Sequence, residues 1–452
     1  MSADPRVTRR AFLRRYGIAS SAITLSPFFI DRFANVSAAA APLVRVFKVM
    51  NGDCFQNVAK VLDMLGGIGK YISAQDVVVI KANAQWPNQG YTHTGCIKAV
   101  IDAILAIPGF AGEILLCDNG QTWSAPGAMG WDATPANRTN NWPDQNWNSL
   151  IQTYSGKPVA GFKWASILAI NPPGNVPSMP YFAPWNPANG QGWGRSFLNF
   201  RGRPSFISYP VFQSPLSGKL IDMKNGVWQN GGYTGQKVKA IFIPTLNNHS
   251  LYGSADDNNS GSSGDYAGVT SAIKSFYGAT EIPVGTDSTW NGYYHIHSTT
   301  YTQPAANGWV PATGAGQLVG QFMNTFYMPV LFITAAMWSG WYSRTGQAAA
   351  TNTVLACENP VTLDYVSTRD VISPYAPWLN PDQNNNTRQQ ILGCNSQGIG
   401  TIDLTQFEII TYDFNNPTAS RLDVERKIRD FKAGVTTEAD VKNTINLYRQ
   451  SP

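Results

Sequence analysis

The chain has 452 residues, 43% of them hydrophobic and only 13% charged. Ordinary soluble domains carry roughly a quarter charged residues, so amides, hydroxyls and backbone must wet this surface, and the apolar content is that of a large core rather than of a charge-driven disordered chain. The formal charge of +5 is concentrated: residues 1–41 hold six of the 33 basic and two of the 28 acidic side chains. What remains is within one charge of neutrality and lacks the electrostatic footprint of a nucleic-acid or anionic-membrane binder.

The N-terminus reads Thr8-Arg9-Arg10-Ala11-Phe12-Leu13-Arg14-Arg15, then a moderately apolar stretch over 16–30, then Ser37-Ala38-Ala39-Ala40-Ala41-Pro42. A basic head, a short apolar middle and a small-residue exit predict a signal peptide over 1–41, cleaved between Ala38 and Ala41. The paired arginines followed by Phe-Leu specify the twin-arginine type, with the export machinery as partner and a periplasmic or extracellular destination. The apolar stretch falls short of the ~20 residues of a spanning helix, so no membrane anchor is expected in the mature chain. Five cysteines without a Cys-x-x-Cys pair suggest no zinc or iron–sulfur cage. An odd count leaves at least one thiol free, and no cofactor is named by any motif.

Apolar patterning then sets the elements in chain order. A strand is expected over 44–49 and a helix over 57–65, stopped by Gly66-Gly67. The β-branched run 76–81 predicts a strand buried on both faces, the spacing over 97–107 a helix, and 113–117 a second buried strand ending in Asp118-Asn119-Gly120. This is a βαβ unit, hence parallel pairing, and the strand ends present Lys81, Asn83 and Asp118 where open parallel sheets bind ligands. Residues 121–235 are rich in Trp, Asn, Pro and Gly; few segments there are periodic, and 172–194 reads as ordered loop. A buried strand returns over 237–244. Residues 247–268 read as a flexible insertion or lid, and 269–276 as a short helix. Further strands are expected over 328–338 and 353–356, and a helix over 360–371. Two capping boxes, Ser420-x-x-Asp423 and Thr437-x-x-Asp440, open a helical hairpin behind the hinge Asn415-Asn416-Pro417. The expected fold class is α/β: a mostly parallel sheet flanked by helices over 42–415, with long Trp/Asn/Gly-rich loop insertions, and a C-terminal helical hairpin over 416–452.

Several of these segments resemble a known family. Val79-Ile80-Lys81-Ala82-Asn83, Thr92-His93-Thr94 and Leu116-Cys117-Asp118 are similar to the opening of domain-of-unknown-function family 362. So are Ile243-Pro244-Thr245-Leu246-Asn247-Asn248-His249, the helix Gly268 to Gly278, and Asn359-Pro360-Val361-Thr362-Leu363-Asp364. The series spans about 44–412. Ala82 stands where the family has Pro, Asn247 where it has Lys, and Thr334 or Ala335 where it has Asp. The resemblance implies an α/β fold with a shared cleft, and no catalytic role.

Four residues emerge as site candidates. Lys81 is a cation for an anionic substrate group, or a stem reaching the surface. Asp118, like Asp364, ligates a metal or orients a lysine, or caps a helix or turn. His249 is an acid–base group or a metal ligand, or holds the following loop. Lys274 completes a cationic pocket with Lys81, or faces solvent. His295-Ile296-His297 would place two imidazoles on one face of a strand, but without a third ligand no metal site follows. Two functions stay open: an exported enzyme acting on a small anionic substrate at the strand carboxyl ends, and an exported binding protein gripping a sugar or polymer through its Trp- and Asn-rich loops.

Overall fold

In the computed structural model, the described residues are 43–84, 90–119, 127, 129–134, 145–164, 191–200, 203–248, 268–279, 311–341, 348–417, 427–428, 431–432, 434 and 436–450. The signal segment, most of the 247–268 insertion, His249, His295, His297 and much of the first hairpin helix lie outside them.

Strand β1 (Val44–Met50) leads into helix α1 (Cys54–Met64). The helix starts earlier than its apolar spacing suggests because Asp53 caps it: the Asp53 side chain accepts the Gln56 amide at 2.8 Å, and Gln56 accepts the Asp53 amide at 2.9 Å. Strand β2 (Val77–Ala82) follows, buried at every position. Burying each of its Val and Ile side chains stabilises the fold by about 1.5–3 kcal/mol relative to exposure. Helix α2 (Thr94–Leu105) crosses to β3 (Glu113–Asn119), which pairs with β2 in parallel and in register, Lys81 opposite Cys117. Helix α3 (Trp147–Gln152) and strand β4 (Val159–Trp164) extend the sheet by one more parallel strand.

The 121–235 segment corrects the loop reading. Residues 191–233 form a five-stranded antiparallel sheet, β5 (Gln191–Phe200), β6 (Arg203–Gln213), β7 (Leu220–Asp222), β8 (Gly226–Gln229) and β9 (Gly232–Tyr233). Pro204 and Pro210 lie inside β6 and Gly residues inside β5, so a pattern search that stops at such residues misses the hairpin. Packing of Val211, Phe212 and Ile221 into the main core overrides local propensity.

The main sheet resumes with β10 (Val238–Ile243) and β11 (Thr245–Asn247). Helix α4 (Ala272–Ser275) is a single turn continued by a 3₁₀ turn over Phe276–Gly278. Helix α5 (Pro311–Thr325) precedes β12 (Leu331–Gly340) and the antiparallel β13 (Ala348–Cys357). Helix α6 (Pro360–Ser367), capped by Asn359, runs into a π turn over Thr368–Ile372; helix α7 (Asn386–Asn395) and β14 (Phe407–Asp413) complete the body. Strand order is β14-β1-β13-β12-β10-β2-β3-β4, with β11 beside β12, and β13 alone runs against the rest. The result is a mixed, mostly parallel sheet flanked by helices. One face packs on α1, α2 and α3, the other on α4 to α7 and the small sheet.

Near the C-terminus, helix α8 (Glu438–Gln450) is opened by the Thr437/Asp440 box, the Asp440 amide reaching Thr437 Oγ1 at 3.2 Å. All five cysteines are buried free thiols. Among the described residues no helix is long and apolar enough to cross a membrane.

Candidate functional site

Because β2 and β3 are adjacent, parallel and in register, their carboxyl ends bring Lys81 and Asp118 together. Lys81 Nζ lies 3.3 Å from Asp118 Oδ1, and both side chains are 1% exposed. Asp118 Oδ2 accepts the Ala84 amide at 2.7 Å, fixing the carboxylate to the chain leaving β2. Lys81 also donates to Ser275 Oγ at 3.1 Å, from α4 on the opposite side.

The 3₁₀ turn after α4 completes the enclosure. A Cβ at Gly278 would stand 2.5 Å from Asp118 Oδ1 and 3.0 Å from Lys81 Nζ. Only glycine lets the backbone lie this close to the pair. Burial of Lys81 drives its proton affinity below that of an ordinary lysine, and Asp118 opposes this without cancelling it. A buried amine poised this way both carries a positive charge to an anion and gives up a proton more readily than a surface lysine.

Polar contacts hold the neighbouring strand ends in place. Thr92 Oγ1 accepts the Asn83 amide at 3.0 Å and donates to the Ile243 carbonyl at 2.6 Å, joining the ends of β2 and β10. Asn83 Oδ1 in turn accepts the Thr245 amide at 3.3 Å. The Asn83 and Thr92 positions of the motif thus align the strand ends. His93, next to them, is 7% exposed; its Nδ1 has no hydrogen-bond partner among the described residues, and burial pushes its pKa down to about 4.

The remaining candidates fall differently. Lys274 is buried, not in solvent, and donates to the Gly268 carbonyl at 2.8 Å; it is the next residue, Ser275, that meets Lys81. His249 lies outside the described residues, so it is not placed relative to Lys81. Asp364 is buried on α6, where its two oxygens accept the amides of Ala272 and Ile273 at 2.7 and 2.9 Å. Among the described residues no three His, Cys, Asp or Glu side chains gather as a metal site.

Sequence reasoning passed over Ser275 and Gly278. Both lie in the segment Gly268 to Gly278 that carries the resemblance, but neither was singled out there. Gly278 stood at the glycine of that motif and at the end of a helix segment, where glycine ordinarily means a stop rather than a close approach. No family model, curated protein or solved structure matches the chain.

Proposed function

We propose that this chain is an exported α/β enzyme, akin to domain-of-unknown-function family 362, that acts on a small anionic substrate at the carboxyl ends of β2 and β3. The observation that carries this reading is the enclosed Lys81–Asp118 pair. Taking two charges out of water costs several kcal/mol per ion, and apolar residues of the same volume fill a core at least as stably. A fold gains little from such a pair as a stabiliser. It stands where open parallel sheets bind their ligands. Lys81 would supply the positive charge and exchange a proton with the substrate; Asp118 would orient the ammonium.

The binding-protein reading draws on exposed tryptophans. Among the described residues, Trp131, Trp147 and Trp164 are at most 2% exposed and pack in the core, while Trp123, Trp142 and Trp185, on which that reading also draws, lie outside them. The enzyme reading is preferred on the enclosed ion pair alone. Export rests on the Arg9-Arg10 head.

Turnover tests the proposal. Wild-type protein and the Lys81→Met/Asp118→Asn variant are incubated with mixed small carboxylates and phosphomonoesters, and products are followed by mass spectrometry. Conversion by the wild type that falls about 10²-fold or more in the variant is expected. Conversion at equal rates in both would overturn the assignment.

A further inference from the structure

Cys54 is the most accessible of the five thiols, 8% exposed where the other four are at most 1%. It stands at the first position of α1, directly after the cap Asp53, and its sequence neighbours Asp53 and Phe55 are exposed. The sulfur rests on the start of α2. A Cβ at Gly95 would collide with Cys54 Sγ, so only glycine leaves room for the thiol there.

An imidazole reaches the same point. A Cβ at Gly95 would stand 3.2 Å from His93 Cε1 and 3.3 Å from His93 Nδ1. His93 occupies the N-cap position of α2, yet its side chain caps no amide of that helix. The ring lies against Gly95 instead, beside the thiol. It is 7% exposed, and Nδ1 has no hydrogen-bond partner among the described residues. A buried ring nitrogen left unpaired is costly to the fold, and a bound ion is one of the few things that explains it.

Thiol and imidazole thus converge from two helix starts that follow the carboxyl ends of β1 and β2, the edge where open parallel sheets take their ligands. The other titratable groups nearby are Asp53, whose side chain accepts the Gln56 amide at 2.8 Å, and Cys96. Cys96 is fully buried, and burial holds its thiol well up. Among the described residues no three His, Cys, Asp or Glu side chains form a metal-binding group.

Two chemistries use a Cys–His pair, and the surroundings separate them. A nucleophile must be a thiolate. Burial and then Asp53 keep the proton on Cys54, whose pKa is pushed up to about 11, while burial of His93 makes its ring a poor acceptor for that proton. A soft cation needs no such transfer: the neutral imidazole offers its lone pair, and the metal displaces the thiol proton to water. Backbone amides of Phe55 and Cys54 favour the thiolate that results. Zinc asks for four ligands. A cuprous ion is satisfied by two in line, and thiolate and imidazole are both ligands that copper takes.

We propose that Cys54 Sγ and His93 Nδ1 form a two-coordinate site for a soft monovalent cation, with cuprous copper as the ion it takes. On binding, one Cu–S and one Cu–N bond form, the Cys54 S–H bond breaks, one proton leaves to solvent, and no electron moves. Nδ1 must be the bare nitrogen, so the ring carries its hydrogen on Nε2. Cys54 itself reaches solvent, so entry requires no helix to move. This assignment stands apart from the reading of Lys81 as a substrate cation.

The test is an anaerobic titration of the full chain with cuprous ion against a coloured copper(I) chelator, joined to copper X-ray absorption of the loaded protein. The wild type should hold one ion per chain, with one sulfur and one nitrogen bound to it. Cys54→Ser and His93→Gln should each weaken binding about 10²-fold or more, since losing even an outer partner of a metal ligand costs about 10–100-fold. A wild-type chain that yields all its copper to the chelator, or whose copper is bound by sulfur alone, overturns the site whether or not the variants fold. So does a His93→Gln protein that binds copper as tightly as the wild type.

Discussion

Lys81 Nζ and Asp118 Oδ1 stand 3.3 Å apart, each on a side chain 1% exposed, at the ends of two neighbouring parallel strands. Removing one partner leaves the other charge buried. Lys81→Met alone should destabilise the protein by about 3–5 kcal/mol, and Asp118→Asn by a similar amount. The double variant should cost at least 2 kcal/mol less than the two together, as contacting residues couple. Urea unfolding of the four proteins gives the coupling directly.

Gly278 has no room for a methyl group. Gly278→Ala would drive a carbon against the Asp118 carboxylate, and should cost about 1–3 kcal/mol by overpacking. The check is a denaturation midpoint. Neither Gly66→Ala nor Gly69→Ala meets any neighbour within 4 Å, and of the two only Gly69, which lacks a positive φ, serves as the mild control.

His93 should make folding sensitive to acid. Burial lowers its pKa from 6.5 to about 4, so the unfolded chain binds the proton first. Its contribution is present above about pH 6.5 and is lost as pH falls toward 4, up to about 3 kcal/mol. The difference in unfolding free energy between wild type and His93→Gln isolates the histidine, and should grow steadily from pH 4 to 6.5.

Export is read from Arg9 and Arg10. Replacing both with Lys should leave the full-length chain in the cytoplasm, whereas the exported wild-type protein should begin near residue 38–42. Mass spectrometry of exported protein retaining residues 1–37 would refute the signal peptide.

How much of this was legible in the sequence depends on where packing decides. The β-branched runs at 76–81 and 113–117 have one physical solution, a doubly covered parallel pair, and Lys81 and Asp118 follow from it by register. The segment 191–233 does not read as strands, because its pairing depends on Pro210 and Trp193 finding each other across a hairpin. Lys274 was a candidate by charge, while Ser275 beside it is the residue that reaches Lys81; a one-turn helix gives no periodicity from which to tell them apart. Asp364 was visible as a motif carboxylate, but its amide partners Ala272 and Ile273 lie on an element distant in the chain. β13 runs antiparallel through a hairpin from β12, and its apolar pattern gives no direction.

The most direct test is a calorimetric titration of wild type and Lys81→Met/Asp118→Asn with inorganic phosphate and with a series of small mono- and dicarboxylates at pH 7.5. Binding of at least one anion to the wild type, weakened about tenfold or more in the variant, is the predicted result. An anion that binds both proteins with equal affinity would contradict a substrate site at Lys81.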